Sequence, residues 1–189
     1  MHEIAGAARS HLSMGVRMMA DTNNEERGGV SRKEKFLTFN LAGEQYGLEI
    51  LKVREIIGLM EITTVPRTPD FVRGVINLRG KVIPVIDLRK KFGMASIEDT
   101  EQTCIVVVDI FEEQTPVQMG IIVDSVSEVL DIDVTDIDEA PKFSATVSTS
   151  FIKGIAKTKG GVKILLKIED VLTTDEIRGL PTNAKEETE

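Results

Sequence analysis

Histidine and cysteine are almost missing from this sequence, and their scarcity removes several classes of catalytic and metal sites. Both histidines, His2 and His11, lie at the start of the chain, and Cys104 is the single cysteine. Without a histidine farther along, Ser-His and Cys-His nucleophilic pairs are excluded there, as are most zinc and transition-metal sites. A lone cysteine cannot form an internal disulfide, which fits a reducing compartment. We expect Cys104, in an apolar stretch, to be a small buried or half-buried residue rather than a nucleophile.

The sequence also lacks an excess of basic residues and any long apolar run. Its formal net charge is -8, which argues against a nucleic-acid binder because phosphate neutralisation needs a basic surface. No run approaches the roughly 20 apolar residues that span a bilayer, and the first residues lack the apolar centre of a signal peptide. With 41% apolar and 29% charged residues, the composition is that of a soluble globular protein, and we expect a cytoplasmic location.

Two polar segments at the ends of the sequence differ from the rest. Residues 1–35 have no sustained apolar period and are rich in small and charged residues, which predicts a disordered N-terminal tail. A short amphipathic helix that docks on a partner is the alternative for this segment. Residues 181–189 predict a second polar tail.

The most distinctive stretch is GVINLRGKVIPVIDLRKKFG, from Gly74 to Gly93. Two apolar runs joined by Arg-Gly-Lys predict a β-hairpin with a charged tip. Residues 82–86 are apolar on both faces of a strand, so one face should fill a core while the other meets a second module or a partner. Pro84 cannot donate to a β-ladder, and we expect it at an edge or a bulge.

An internal repeat includes the same hairpin. Residues 69–92 align with residues 149–172 at a shift of 80, and residues 46–57 align with residues 119–130 at a shift of 73. Both matches pair glycines, and both occur in the same order along the chain. We interpret the folded region as two copies of one small unit, with chance agreement between short apolar patterns as the alternative.

Each copy, residues 36–98 and residues 99–180, consists mainly of predicted strands. Residues 35–41 and 103–111 each lead through a short polar turn into a second apolar strand, which is a hairpin pattern. Many short strands close most readily as a small antiparallel barrel, and two such units gain a shared interior. We therefore predict a mainly β fold of two small barrels packed together, with a few short helices. ILKVREII (50–57) is either helical or extended.

Few residues stand out as functional candidates. Arg79 at the hairpin tip has Glu55 as the obvious acid in the preceding segment. A partly exposed ion pair contributes about 0–1 kcal/mol but can help to choose a partner, and a freely solvated arginine is the alternative. Phe143, after a proline in a polar loop, is either tucked under its own loop or an interface anchor. The acidic stretch 131–139 lacks the glycine of a calcium loop, and the basic stretch 88–92 predicts a solvated helix face.

The residues of this hairpin resemble the CheW coupling proteins of bacterial chemotaxis. The pattern GVINLRG from Gly74, followed by Pro84 and Asp87-Leu88-Arg89, is similar to the central signature of that family. Further similarity lies in the segments YGLEI, VREI, GIIVD and APKF. The similarity covers about residues 36–175.

This resemblance implies a fold and a role. Family members have two small five-stranded, SH3-like β-barrels around a common apolar seam and no enzymatic activity, which implies no catalytic residue, metal or cofactor. They link the cytoplasmic tips of methyl-accepting chemotaxis receptors to the regulatory domain of the histidine kinase CheA in membrane-associated arrays. The resemblance implies that the receptor's helical hairpin binds in the groove between the barrels.

The resemblance also implies two sets of binding residues. Those for the receptor are Val53, Glu55, Asn77, Arg79, Gly80, Ile105 and Val107, with Glu55 and Arg79 acting as a pair. Those for the kinase are Pro141 and Phe143, which favours the interface role of Phe143. Two other functions stay open: the same scaffold in an array for surface motility or gene control, and a barrel-fold enzyme using carboxylates or serines.

Overall fold

Strands make up most of the chain that the computed structural model describes, which is residues 32–112, 115–141 and 149–180. The mainly β fold class predicted from the sequence is confirmed. Two short helices are present in the described residues, α1 (Leu88–Lys91) and α2 (Thr174–Arg178). The strands are β1 (Lys33–Leu41), β2 (Glu44–Glu49), β3 (Val53–Gly58), β4 (Val72–Leu78), β5 (Lys81–Asp87), β6 (Cys104–Glu112), β7 (Thr115–Val123), β8 (Ser125–Asp133), β9 (Ile137–Asp138), β10 (Ile152–Thr158) and β11 (Gly161–Leu166).

The strands form two sheets. One has the order β8-β1-β2-β11-β10-β9, and the other has the order β3-β6-β7-β5-β4. Neighbouring strands are antiparallel except at one place in each sheet, where β2 runs parallel to β11 and β5 runs parallel to β7. We call them the β1 sheet and the β6 sheet. The closure of each sheet into a barrel stays a prediction.

The internal repeat is visible in the sheet orders, because β8-β1-β2-β11-β10 correspond in order to β3-β6-β7-β5-β4, and only β9 has no counterpart strand among the described residues. The amide of Asp87 donates to the carbonyl of Phe71 at 2.7 Å, and the amide of Lys167 donates to that of Phe151 at 2.8 Å. The two donors are 80 residues apart in the sequence, and so are the two acceptors. This is the same shift that aligns the two hairpins. The structure therefore contains two copies of one unit.

The two copies exchange their first hairpins. Strands β1 and β2 pair with β8 and β11 of the second copy, whereas β6 and β7 pair with β3 and β5 of the first. The subdomain boundaries at residues 36–98 and 99–180 stay a prediction, and each sheet draws strands from both segments. Strand β1 begins at Lys33, inside the segment predicted as a tail. The other tail residues, 1–31 and 181–189, lie outside the described residues.

Three apolar clusters fill the structure, one small cluster on each sheet and a larger one that both sheets share. Strand alternation produces this division in β6: Val106 and Val108 contact the shared cluster, while Ile105 and Val107 contact the small one. The common apolar seam expected from the sequence is the shared cluster. Cys104 is half-buried beside it, as the sequence predicted.

Strand β5 is covered on both faces, as its sequence predicted. Ile83 and Val85 belong to the small cluster of the β6 sheet, and Ile86 belongs to the shared cluster. Pro84 was expected at an edge or a bulge, but β5 lies between β4 and β7. The parallel pairing with β7 begins at Val85, so the missing amide of Pro84 lies just before that ladder.

Candidate interaction site at the hairpin corner

The tip of the β4–β5 hairpin is a two-residue turn. Leu78 pairs with Lys81, and both turn residues have positive φ, 53° at Arg79 and 86° at Gly80. This is the pattern of a type I′ turn, which matches the right-handed twist of the flanking strands. The amide of Gly80 donates to Asn77 Oδ1 at 2.9 Å and closes the turn. The local sequence thus fixes the direction in which the Arg79 side chain leaves the hairpin.

Arg79 forms a two-point ion pair with Glu55 of β3. Nη2 of Arg79 lies 2.9 Å from Oε2, and Nη1 lies 3.3 Å from Oε1. The arginine side chain is 79% exposed and the glutamate side chain is 21% exposed. A pair so open to water contributes only about 0–1 kcal/mol to folding, because solvent screens it. Its planar, two-point geometry nevertheless presents the guanidinium in one orientation.

A β-bulge separates the two candidate residues of β3. Val53 pairs with Val108, whereas Glu55 pairs with the adjacent residue Val107. In a regular strand, residues that are two positions apart lie on the same face. Here the register shift places Val53 and Glu55 on opposite faces. Val53 therefore packs against the shared cluster, and Glu55 lies on the face of Val107, which belongs to the small one. Without the bulge, Glu55 would not lie on the side that Arg79 reaches.

The remaining predicted site residues have different environments. Ile105 and Val107 lie directly beside β3, but both side chains are fully buried in the small cluster. They support the strand that carries Glu55 and do not form its surface. Pro141 is exposed, and Phe143 lies outside the described residues. We refer to Glu55, Asn77, Arg79 and Gly80 together as the hairpin corner.

Two aliphatic side chains next to the hairpin corner face water, on the sheet face opposite to that of Glu55. Ile56 follows Glu55 along β3 and is 45% exposed. Val82 pairs with Asn77 across the hairpin and is 38% exposed. Apolar surface around a fixed charge is typical of a protein contact, because the apolar part gains from leaving water and the charge selects the partner.

The basic segment of α1 was predicted to be a solvated helix face, and this prediction is wrong for two of its residues. Lys91 Nζ donates to both carboxylate oxygens of Glu176 in α2, at 2.6 and 2.7 Å. Arg89 is mostly buried, and its Nε donates to Asp124 Oδ1 at 2.6 Å. The cationic residues of this segment therefore fix α1 to the end of β7 and to α2. Sequence alone gave no sign of these partners, which lie 35 and 85 residues away.

Asp124 connects three segments of the chain. Its carboxylate accepts hydrogen bonds from Arg89 and, at 2.8 Å, from the backbone amide of Ala42 in the β1–β2 turn. Burial alone would raise the pKa of Asp124, but the hydrogen bonds from Arg89 and Ala42 outweigh it and hold the pKa below its ordinary value of 3.8. The ionised carboxylate is therefore the form that stabilises the fold.

We expect Asp124→Asn to lower the free energy of unfolding by about 1.5–3 kcal/mol at about pH 7, because it removes an acceptor of charged hydrogen bonds. A carboxyl whose pKa is lower in the folded than in the unfolded state stabilises the fold at pH values above its unfolded-state pKa. This contribution is lost as the pH falls through its folded-state pKa. The difference from the unchanged protein should therefore be smaller at a pH below 3.8 than at about pH 7 in urea titrations. Glu61→Gln, at an exposed position, is the control. An equal deficit at both pH values would contradict the ionic role.

Among the described residues there is no group of three or more His, Cys, Asp or Glu side chains that could hold a metal ion. The acidic stretch near Asp133 forms turns of its own, because Asp133 Oδ1 accepts hydrogen bonds from the amide and the hydroxyl of Thr135. Within the part of the chain that the structure describes, no helix has the length and apolar character required to cross a membrane.

Comparison with known proteins decides the family. Residues 35–176 match the family model of the CheW-like domain. The chain belongs to the CheW-like family. A chemotaxis protein CheW from Klebsiella aerogenes is 39% identical over 152 residues, which cover 80% of this chain and 89% of the relative. A chemotaxis protein CheW from Helicobacter pylori is 33% identical over 141 residues, covering 75% of this chain and 82% of the relative.

A solved structure agrees with the CheW-like fold. The crystal structure of the scaffolding protein TtCheW from Thermoanaerobacter tengcongensis has a TM-score of 0.67 and 40% sequence identity to this chain. The aligned region covers 74% of this chain and 92% of the solved chain. Family membership makes this a CheW-like protein of chemotaxis signalling, from a family of scaffolds.

Proposed function

We propose that this CheW-like protein is a non-catalytic adaptor that couples methyl-accepting chemotaxis receptors to the histidine kinase CheA in cytoplasmic arrays at the membrane. The hairpin corner is the observation that carries the proposal. Its ion pair is held in a defined geometry by a type I′ turn and a bulge, yet it adds little to folding. Such a feature is better explained by recognition of a partner than by stability.

The receptor surface in this proposal is the hairpin corner together with Val53. The tip of a receptor is a helical hairpin, whose polar and apolar side chains alternate along each helix with the helical period. The fixed guanidinium of Arg79 selects among them, and the exposed Ile56 and Val82 supply apolar contact. In this proposal Ile105 and Val107 contribute indirectly, because they lie on β6 and hold the neighbouring strand β3 in register.

The kinase surface is separate and includes Pro141 and Phe143. An aromatic residue after a proline is a typical interface anchor, since it buries a large area at a small cost in side-chain entropy. An interface of standard size, about 1,600 Å² in total, would suffice for each partner. Coupling arises if both partners contact one body and the contacts differ between the active and inactive states of the kinase.

Co-sedimentation tests this function directly. The full chain is mixed with membranes or nanodiscs that carry a receptor cytoplasmic region and with the kinase. We expect kinase to sediment with receptor only when this protein is added, and its autophosphorylation to respond to receptor ligand. Kinase recruitment that is unchanged by omission of this protein would contradict the proposal.

Phe143→Ala should weaken kinase binding by at least about tenfold while leaving receptor binding unchanged, because an aromatic anchor commonly contributes more than 1.4 kcal/mol. Pull-down with the isolated regulatory domain and with the receptor fragment measures the two affinities separately. Phe111→Ala is the matched control, since Phe111 is an exposed aromatic residue on β6. Equal loss of both partners would contradict separate surfaces.

A further inference from the structure

The second copy of the repeat has its own version of the hairpin corner. A shift of 73 places Glu55 on Glu128 of β8, and a shift of 80 places Arg79 on Lys159 in the β10–β11 turn. In the first copy these positions form the ion pair described above. Among the described residues no ion pair joins Glu128 to Lys159. A cleft with a volume of about 430 Å³ lies there instead, between β8 and the β10–β11 hairpin.

The floor of this cleft contains a buried lysine. Lys163 of β11 is only 4% exposed, and Lys163 Nζ donates to the side-chain oxygen of Gln45 in β2. Its position in the first copy is occupied by Ile83, a buried residue of the small cluster. Lys163 also shares a face with Leu165, which belongs to the small cluster of the β1 sheet. One copy thus has an apolar residue at this interior position, and the other has a cation.

A buried ammonium group needs a negative partner, because removal from water is costly unless the charge is paired. In the described part of the chain no carboxylate forms an ion pair with Lys163, and the amide oxygen of Gln45 satisfies one of its three N–H donors. The other two N–H donors of Lys163 have no acceptor among the described residues.

Charges at the rim of the cleft restrict what can enter. Asp131 is held by Lys35 at 2.7 Å, and Lys157 is held by Asp138 at 2.5 Å. Glu128, Asp136 and the cation Lys159, all exposed, also line the cleft and have no ion-pair partner among the described residues. The unpaired rim groups therefore keep one net negative charge, which disfavours anions with several charges, whereas a single carboxylate can pair with Lys163. The volume is in the range of small-molecule sites, about 300–1,000 Å³.

We propose that this cleft binds a small organic monocarboxylate, whose carboxylate group pairs with the ammonium of Lys163. Leu130 and Ile132 of β8 line the same cleft and provide apolar contact for the rest of the ligand. The site is distinct from the hairpin corner and does not depend on the proposed coupling function.

Titration of the isotope-labelled full chain by NMR tests the proposal, with sodium acetate as the probe and sodium chloride and inorganic phosphate as comparisons at equal ionic strength. We expect saturable shifts of the Ile132, Gly160 and Gly161 amides with acetate alone. Lys163→Met should weaken acetate binding at least about tenfold, the loss of ~1.4 kcal/mol or more expected when a charged hydrogen bond is removed. Equal shifts with chloride, stronger binding of phosphate, or unchanged binding by Lys163→Met would overturn the proposal.

Two further variants separate binding from folding. Lys167→Met removes the same charge outside the cleft, and acetate binding should be unchanged. Glu128→Gln alters an exposed rim residue, so the fold is kept even if Lys163→Met unfolds. It should strengthen acetate binding at least about twofold, because it removes a repelling carboxylate. No gain in Glu128→Gln, or loss of binding in Lys167→Met, would count against the site.

Discussion

Replacing Arg79 by alanine is expected to abolish receptor-dependent control of the kinase while changing the free energy of unfolding by less than about 1 kcal/mol. The side chain is mostly in water and its partner Glu55 stays partly exposed, so no buried charge is left unpaired. The guanidinium would nevertheless be lost from the surface where we place the receptor. Urea unfolding measures the first quantity, and autophosphorylation with and without receptor ligand measures the second.

Two companion variants sharpen this result. Lys81→Ala removes an exposed cation from the same hairpin, and kinase control should be retained. Exchange of the pair, Glu55→Arg with Arg79→Glu, tests whether the pair acts through its geometry or through the arginine itself. If Arg79 contacts the receptor directly, the exchange restores folding geometry but not control. Global unfolding of Arg79→Ala, or full control in that variant, would contradict the proposed receptor surface.

The hairpin and the repeat could be predicted because they depend on local sequence. The three residues Arg79-Gly80-Lys81 between two apolar runs predicted a hairpin tip. In the structure Lys81 already belongs to β5, and the two-residue turn fixes the pairing register of β4 and β5. The same pattern recurs 80 residues later, and the structure repeats the same backbone hydrogen bonds there. Glu55 was named as the candidate partner of Arg79 because it is the obvious acid in the preceding segment, and the pair is present in the structure.

The segment after β2 was left open between helix and strand, and the structure explains the ambiguity. Ile50, Val53 and Ile57 have the spacing of one helix face, but residues Ile50–Lys52 form a 3₁₀ turn and β3 begins at Val53. The bulge between Val53 and Glu55 then shifts the strand's alternation by one residue. A turn followed by a bulged strand thus spaces its apolar residues as a helix does, and periodicity alone cannot separate the two.

The exchange of hairpins could not be predicted, because nothing in a local pattern states which distant strand is the neighbour. Tyr46 of β2 pairs in parallel with Ile164 of β11, far along the chain. The same limit applies to Lys91. Its basic neighbours in the sequence predicted a solvated helix face, but in the structure it pairs with Glu176 of α2. In both cases the partner is set by tertiary packing of the two copies, and the sequence around the residue contains no sign of it.

Gly74→Ala is expected to give the largest loss of stability, about 3 kcal/mol or more, because two separate penalties combine there. Gly74 has a φ of 141°, a conformation that residues with a side chain rarely adopt. A Cβ atom would also lie 2.1 Å from the carbonyl oxygen of Thr63, which accepts a hydrogen bond from the Val75 amide. Neither the backbone of Thr63 nor its bridge to Val75 can move without breaking that contact. Thermal and urea unfolding measure the loss.

The equivalent glycine of the second copy separates the two penalties. At Gly154 a Cβ atom would lie 2.6 Å from Ile137 Cγ2 and 2.8 Å from the Asp138 carbonyl oxygen, and the residue lacks the positive φ of Gly74. Gly154→Ala should therefore destabilise less than Gly74→Ala. Gly58→Ala meets no atom within 4 Å and should change the free energy of unfolding by less than about 0.5 kcal/mol. If Gly154→Ala were as damaging as Gly74→Ala, steric contact alone would explain both losses, and backbone conformation at the start of the hairpin would contribute nothing.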